Sequence, residues 1–194
     1  MLRRALLLAL FAALLTSGCA TDANSAREMA SDRGVSAVPP TRASGAVPPL
    51  HPSIDDYPEA TLQLVGRSGR TVTVAVKVAN TAGRRRHGLM EVPALPDGVG
   101  MLFVFPADQS SERWRRRGFW MENTLVPLDV AFFGSDGVVD AILRMEPCAS
   151  APCPVYDPGI PYRYALEVPA GWFGQVGVDS DWRLELPADL PPSS

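Results

Sequence analysis

The sequence contains 194 residues and carries a formal net charge of −3, with 18 basic and 21 acidic side chains. Its length predicts one folded domain with additional segments, and a hydrophobic content of 46% is typical of a soluble globular protein. The acidic balance argues against general nucleic-acid binding, which requires a basic face. The 19 prolines are nearly double the usual share of about 5% and mark linkers and loops.

Residues 1–18 have the pattern of an export signal. A pair of arginines precedes an apolar run that is too short for a membrane span. The stretch Leu-Leu-Thr-Ser-Gly-Cys19 resembles a bacterial lipoprotein signal, in which Cys19 becomes the lipid-bearing first residue. By the same resemblance, Ala20 after the cysteine favours the outer membrane. Cleavage after Ala20 instead, giving a soluble periplasmic or secreted protein, stays open as the alternative.

Composition divides the rest of the chain into three parts. Residues 19–58 are rich in Ala, Ser, Pro, Gly and Thr and show no sustained periodicity. Such a segment buries too little apolar surface to offset the entropy of ordering, so we expect a flexible tether. The patterned residues 59–189 predict the folded domain, and residues 190–194 are predicted to be a disordered tail.

The domain opens with a predicted hairpin. Residues 61–67 and 71–79 have strand composition and flank the turn residues Ser68-Gly69. In the second strand, alternate valines share one face and Lys77 lies on the other. This alternation predicts a sheet that buries one face and is antiparallel.

Further short patterned segments follow, separated by turn residues. Thr81 is a candidate cap for a helical turn that ends at Gly88, and residues 171–177 predict a second turn. Strands are predicted over residues 100–105, 119–121, 128–133, 138–146, 162–168 and 182–186. The pattern predicts a mostly β domain (β-rich α+β) of about seven or eight strands, closed or half-closed like a barrel, with one or two short helical turns.

Residues 118–133 combine aromatic, amide, hydroxyl and carboxylate side chains, which are suited to binding or catalysis. Here two aromatic residues precede Asn123 and Thr124, and Asp129 stands within an apolar strand. A buried carboxylate requires hydrogen bonds, an ionic partner or a wet pocket. One interpretation is a ligand site in which Trp120 stacks, Asn123, Thr124 and Asp129 form hydrogen bonds, and Arg86 supplies a counter-charge. The alternative is structural: the same polar side chains tie a tight strand junction together.

Catalytic interpretations rest on the same carboxylate. In one, Asp129 is the general base of a hydrolase and Arg86 stabilises charge. In another, Asp129 and Glu167 form a carboxylate pair, but the strand pattern directs Glu167 outward. No serine stands in a nucleophile-elbow motif, so we lean against an enzyme and predict neither a cofactor nor a metal site.

Two cysteines remain if Cys19 is lipidated. Cys148 and Cys153 form an even pair in a chain that carries an export signal, which favours a disulfide closing a small loop. A redox pair is the alternative, although redox motifs favour a C-x-x-C spacing. A metal site lacks a second pair of ligands.

Several motifs in the same order resemble the prokaryotic DUF192 family, also called UPF0127, over residues 60–187. The matching segments are Arg86-His-Gly-Leu-Met90, Gly100-Met-Leu-Phe-Val-Phe105, Phe119-Trp-Met-Glu-Asn-Thr124, Pro127-Leu-Asp129, Pro147-Cys148, Cys153-Pro-Val-Tyr156 and Leu166-Glu-Val-Pro-Ala-Gly171. The chain departs from the family at Ser180-Asp181, where a Gly-Asp step is usual. The resemblance implies a small, mostly β, often exported domain with a shared site around the matched residues, and it supplies no substrate.

We therefore expect a lipid-anchored, periplasm-facing protein of the cell envelope. Its expected activity is to bind a small molecule, glycan or peptide, or to serve as an accessory domain. An envelope hydrolase and a purely structural or protein-interaction module remain the alternatives.

Overall fold

The computed structural model describes residues 46–106 and 118–194. The predicted signal peptide, Cys19 and most of the tether therefore lie outside the described residues. The domain is mostly β, as predicted, with nine strands and two short helices in the described ranges. In chain order the elements are the 3-10 turn Pro52–Ile54, β1 Glu59–Val65, β2 Thr71–Ala79, α1 Ala82–His87, β3 Val99–Val104, β4 Phe119–Trp120, β5 Leu128–Phe133, β6 Val139–Met145, β7 Val155–Tyr156, β8 Tyr164–Pro169, α2 Trp172–Val176 and β9 Arg183–Glu185.

Seven strands form one sheet in the order β6-β5-β8-β3-β2-β1-β9, and β4 pairs with β7 in a separate ribbon. The prediction of an antiparallel sheet is wrong at one place, because β2 and β3 run parallel. Parallel neighbours need a crossover connection, and residues 80–98, which include α1, provide it.

The predicted hairpin is confirmed. β1 pairs with β2 antiparallel from Glu59↔Lys77 to Val65↔Thr71. Gly69 has a φ of 80°, a value that glycine adopts without steric cost. The backbone N–H of Gly69 donates to the oxygen of Gly66 at 2.9 Å, which closes the turn.

The sheet is covered on both faces, whereas the alternation in β2 predicted one buried face. On one face, alternate valines of β2 join the first cluster, which includes Trp172 and Phe173 of α2. On the other face a second cluster contains Met101, Phe103 and Phe119. Because both faces are covered, every residue of β3 and β5 is buried, and neither strand alternates between apolar and polar residues; Asp129 is the one charged residue in the two strands.

Lys77 shows the consequence of this second cover. It is only 3% exposed, although the sequence pattern placed it on the face opposite the valines and outside the core. Its ammonium group pairs with Glu59 at 2.8 Å and donates to the backbone oxygen of Asp55 at 3.1 Å. Buried charges are tolerated when they are paired and hydrogen-bonded in this way.

The sheet does not close into a barrel. Its two ends meet only at a single bridge, Val138↔Arg183. Here the N–H of Val139 donates to the oxygen of Trp182 at 3.0 Å, and that of Leu184 donates to Gly137 at 2.7 Å. The closed form of the predicted barrel is therefore wrong, and the sheet is open with ends that touch.

The domain also extends beyond its predicted limits. Ile54 and Tyr57 are buried in the second cluster, so the flexible tether cannot run to residue 58 as predicted. At the other end, Asn80 Nδ2 donates to the oxygen of Pro192 at 2.9 Å, and the N–H of Ser194 donates to Asn80 at 2.9 Å. These bonds correct the prediction that residues 190–194 are a disordered tail.

Both predicted helical turns are present. Thr81 caps α1, since its hydroxyl accepts from the N–H of Arg84 at 3.3 Å, and Gly88 ends it with a φ of 55°. α2 begins after Gly171, whose φ is 86°. Within the described ranges, no helix has the length and apolar character needed to span a membrane.

Replacement of Gly100 by alanine is expected to destabilise the fold strongly. A β-carbon at this position would collide with the backbone oxygen of Glu167, where β3 and β8 approach each other. Overpacking of this kind typically lowers the free energy of unfolding by about 1–3 kcal/mol, and urea unfolding measures it.

Gly83→Ala is the matched control, because a β-carbon there meets nothing within 4 Å. Since alanine is the better helix former by about 1 kcal/mol, this variant should be as stable as the parent or more so. Equal stability of the two variants would contradict the proposed close approach at Gly100.

Candidate functional site

A cavity of about 510 Å³ lies beside α1 and β4, and we call it the α1–β4 cavity. Its volume falls within the range of small-molecule sites. Aromatic rings form much of its wall, and a few charged or polar side chains join them. The lining residues are Ala82, Arg85, Arg86, His87, Gly88, Leu89, Met90, Phe103, Phe105, Pro106, Gly118, Phe119, Trp120, Thr124, Tyr162 and Glu167.

Helix α1 brings three basic side chains to the cavity, and they differ in what they already bind. The Arg85 guanidinium donates to the backbone oxygens of Asn80 at 2.8 Å and Val104 at 2.9 Å. His87 Nε2 lies 3.0 Å from the hydroxyl of Ser53. Arg86 is exposed, and within the described part of the chain it makes no ion pair. Arg86 is therefore the α1 cation that is available to a ligand.

The aromatic wall is held by edge-to-face packing. The ring centroids of Phe103 and Phe119 are 4.8 Å apart, and those of Phe105 and Tyr162 are 5.2 Å apart. Burial, and secondarily the charge of Asp157, raise the pKa of Tyr162 to about 12. The Tyr162 phenol thus stays protonated at physiological pH.

Trp120 and Thr124 reach the cavity from β4 and the turn that follows it. Trp120 is 41% exposed and pairs with Val155 across the β4–β7 ribbon, so part of its ring is open to a ligand. Thr124 is buried, and its N–H donates to the oxygen of Met121 at 3.0 Å. The Trp120 ring is suited to stacking and the Thr124 hydroxyl to hydrogen bonding.

Glu167 is the buried carboxyl of the site. The prediction that it faces outward is wrong: it is 4% exposed, and it lines the cavity. Its strand neighbours are Met101 and Val130, so its surroundings in the sheet are apolar. Burial raises its pKa from the usual 4.5 to about 8. A strongly shifted acid in a cleft is a recognised sign of a functional site.

Asp129 lies elsewhere. It follows Ala131 and Phe133 onto the face of the first cluster, whereas Glu167 belongs to the opposite face. Its carboxylate accepts from the N–H of Gly171 at 2.7 Å, which fixes the start of α2. The structure thus brings Asp129 neither to the α1–β4 cavity nor into a pair with Glu167, and the structural interpretation of Asp129 fits this geometry.

Asn123 has a comparable structural role. It does not line the cavity, and its φ is 55°, a left-handed conformation that asparagine tolerates better than most residues. Its backbone N–H donates to the backbone oxygen of Cys148 at 3.1 Å, and its backbone oxygen accepts from the N–H of Glu91 at 2.9 Å. Asn123 therefore shapes the turn that presents Thr124.

The sequence's disulfide prediction agrees with the structure, in which Cys148 and Cys153 are bonded. Cys148 exchanges backbone hydrogen bonds with the segment after β4, since its N–H donates to Met121 at 3.2 Å. The closed loop thereby braces one wall of the cavity. No group of three or more potential metal ligands occurs in residues 46–106 and 118–194.

Three of the five predicted ligand-site residues thus line one cavity: Arg86, Trp120 and Thr124. Glu167, Tyr162 and His87 line it too, although sequence reasoning did not select them as a site. One signal was available for Glu167, which stands between Leu166 and Val168 in a strand. A carboxyl in such a position carries the same desolvation cost that drew attention to Asp129.

The fold and this cavity can be compared with known proteins. The model of the DUF192 family, described as "Uncharacterized ACR", matches residues 64–186. The chain belongs to the DUF192 family. The matched range includes α1, all strands from β2 to β9 and every described lining residue of the cavity. No curated protein matches the chain.

Two crystal structures are similar to this DUF192 chain. A protein of Sinorhizobium meliloti 1021, described as a "putative transcription regulator", is 33% identical to this chain, and the two structures superpose with a TM-score of 0.59. The aligned region covers 67% of this chain and 95% of that protein. A protein of unknown function from Novosphingobium aromaticivorans DSM 12444 is 26% identical with a TM-score of 0.55, covering 75% of this chain and 96% of its own.

Glu167→Gln should remove one pH dependence of stability. Because the pKa of Glu167 is raised to about 8 on folding, the folded protein holds a proton that the unfolded chain releases. Wild-type stability therefore falls as the pH rises from about 5 to 8, by up to about 1.4 kcal/mol per pH unit. Glutamine cannot ionise, so the variant should match wild type near pH 5 and exceed it near pH 9.

Urea unfolding at pH 5, 7 and 9 measures this difference. Comparison of the two proteins at each pH cancels the other titrating groups. A constant difference across the three pH values would show that Glu167 ionises normally and would contradict the assignment.

Proposed function

We propose that the protein is an exported, lipid-anchored binding module of the cell envelope, and that the α1–β4 cavity holds its small-molecule, glycan or peptide ligand. One observation carries the proposal: an aromatic-lined cavity of about 510 Å³ contains a buried carboxyl. Ligand sites commonly combine apolar walls with a few convergent polar groups and a perturbed pKa.

Binding is favoured over the hydrolase alternative by the placement of the carboxylates. A general base must lie within hydrogen-bond reach of the reacting group. Asp129 is 8% exposed and holds the N–H of Gly171, on the face of the sheet opposite the cavity. The enzyme interpretation built on Asp129 and Arg86 therefore has no geometric support, while a binding site needs only fixed contacts.

The description of the S. meliloti protein as a regulator does not lead us to propose DNA binding here. Nucleic-acid binding depends on a basic face that neutralises phosphates. This chain has 21 acidic and 18 basic side chains. A small-molecule, glycan or peptide ligand therefore remains the proposal.

The export part of the proposal rests on residues 1–19 of the sequence. An arginine pair, an apolar run and Cys19 follow one another as in a bacterial lipoprotein signal. Several acyl chains on one cysteine give stable membrane attachment, which a single chain does not. Residues 20–46 would then connect the lipid to the folded domain.

A ligand that occupies the cavity should stabilise the protein against heat. At 100 times its dissociation constant it adds about 2.7 kcal/mol to the free energy of unfolding. We would measure melting temperatures with peptidoglycan fragments, oligosaccharides, nucleotides and amino acids. Trp120→Ala should abolish the shift, because it removes a wall of the cavity.

Leu125→Ala is the control for this experiment. Leu125 is 57% exposed and lies in the same segment, but it does not line the cavity. Its removal should leave the ligand-induced shift intact. A shift that survives Trp120→Ala, or that both variants abolish, would count against the α1–β4 cavity as the ligand site.

Cys19→Ser should release the protein from the membrane. Serine cannot form the thioether link to lipid, so the variant should move from the membrane fraction to the soluble fraction. Fractionation of cells that express each form, together with the mass of the N-terminal peptide, measures the change. A wild-type N-terminal peptide that begins at Thr21, without Cys19, would support cleavage after Ala20 instead.

A further inference from the structure

The wall of the α1–β4 cavity includes a carboxyl that has no hydrogen-bond partner in the described part of the chain. Glu167 is 96% buried, since only 4% of its surface is exposed. Within residues 46–106 and 118–194, no donor is hydrogen-bonded to its side chain. Its oxygens open onto the cavity, since Arg163 Nη1 is the one fully enclosed polar side-chain atom without a partner in the described ranges. A ligand that enters the cavity would supply the missing partner.

The charge of that partner follows from the properties of a buried carboxyl. Without a partner, Glu167 keeps its proton at neutral pH, since burial raises its pKa to about 8. A cation beside it would favour the ionised form and form a charge-assisted hydrogen bond, which is roughly twice as strong as a neutral one. An anion could accept a hydrogen bond from the protonated carboxyl, but the negatively polarised faces of the aromatic rings in the cavity wall would oppose its entry.

The walls of the cavity favour a cation as well. Five aromatic residues surround it, and the faces of their rings carry partial negative charge. A cation over such a face gains about 0.5–1 kcal/mol at exposed sites and about 2 kcal/mol when it is desolvated. The five are Phe103, Phe105, Phe119, Trp120 and Tyr162. One face of the Phe105 ring is already covered by the Arg85 guanidinium, 5.5 Å from the ring centroid, so a ligand cation would use the others.

The basic residues around the cavity define the other end of the ligand. Arg85 and His87 already bind backbone oxygens and Ser53, respectively. Lys77 shares the face of Glu167, with Met101 between them in the strand register, but it pairs with Glu59. Among the described basic residues at the cavity, exposed Arg86 is the one left to receive an anionic group.

We propose that the α1–β4 cavity binds a zwitterion, with its ammonium group on Glu167 and its carboxylate at Arg86. Free amino acids and short peptides have this chemistry. The inference rests on the proposed function, because it concerns the same cavity. When the ammonium group binds at neutral pH, the Glu167 carboxyl loses its proton to solvent and becomes a carboxylate, so that binding releases up to one proton per ligand.

Four probes with the same ring and different charges test the proposal. They are L-phenylalanine, benzylamine, benzyl alcohol and benzoate, each titrated into the purified protein at pH 7 and followed by NMR. We expect benzylamine to bind about tenfold more tightly than benzyl alcohol, benzoate to bind most weakly, and L-phenylalanine to bind most tightly.

Two variants assign these preferences to residues. Glu167→Gln should bring benzylamine to the affinity of benzyl alcohol. Arg86→Gln should weaken L-phenylalanine about threefold, because exposed ion pairs contribute little, and should leave benzylamine unchanged. Arg144→Gln is the control, since Arg144 is an exposed arginine of β6 outside the cavity and pairs with Glu146.

Calorimetry gives a readout that a purely structural role would not produce. Benzylamine binding measured at pH 7 in two buffers of different ionisation enthalpy should reveal release of up to one proton in the wild type and none in Glu167→Gln. The dipeptide phenylalanylglycine separates the two sources, because tighter binding than L-phenylalanine indicates a peptide and weaker binding a free amino acid.

The proposal is overturned if benzoate binds as tightly as benzylamine, if the cation preference survives Glu167→Gln, or if none of the four probes binds at 10 mM or below (about 2.7 kcal/mol of binding free energy). The thermal panel could also identify a ligand that has no ammonium group and whose stabilising effect requires Trp120. Such a ligand would contradict the zwitterion proposal but would support the proposed binding function. No dependence on Trp120 for any ligand would sink the binding function itself.

Discussion

The fold depends on the burial of strand β8 on both of its faces. β8 lies between β3 and β5 near the middle of the sheet, and its alternate residues enter the two clusters on opposite sides. The strands beside it must then approach closely, and Gly100 of β3 leaves room for the backbone of Glu167. A carboxyl in such a strand can reach solvent only through a cavity, and the α1–β4 cavity is placed there.

The cover of the second face explains how this cavity arises. α1, the segment after it and the β4–β7 ribbon lie over the sheet, yet they are short elements that meet at edges and do not form a continuous layer. Aromatic rings fill most of the space between them by edge-to-face contacts. Polar groups that the connecting segments need for their own turns are satisfied by backbone bonds, as in Asn123. The remaining polar side chains, chiefly Glu167 and Arg86, face space that these elements leave open.

Strand alternation predicted much of the sheet, because period-two patterning is read directly from Val72 to Val78 and from Tyr164 to Val168. The same rule misplaced Lys77 and Glu167. It treats a polar residue opposite an apolar one as solvent-facing, and it cannot detect a second cover contributed by distant segments. Asp129 shares a face with Ala131 and Phe133, which is the face that period-two alternation along β5 gives it. Its partner, the N–H of Gly171, stands 42 positions away, and a single sequence does not reveal such a pairing. The motifs around α1 and β4 identified three cavity residues, Arg86, Trp120 and Thr124. These could be identified because each lies within or next to a short element formed by residues that are close in sequence.

The bridge between Val138 and Arg183 has a further consequence for the edges of the sheet. An open sheet presents unpaired N–H and C=O groups along its outer strands, which are templates for pairing with another chain. Here β9 is only three residues long, and its outer groups bond to the residues around Gly137. Part of the outer edge of β9 is thus hydrogen-bonded within the domain, although the sheet does not close into a barrel. The turn around Gly137 therefore protects this edge from pairing with the edge strand of another molecule.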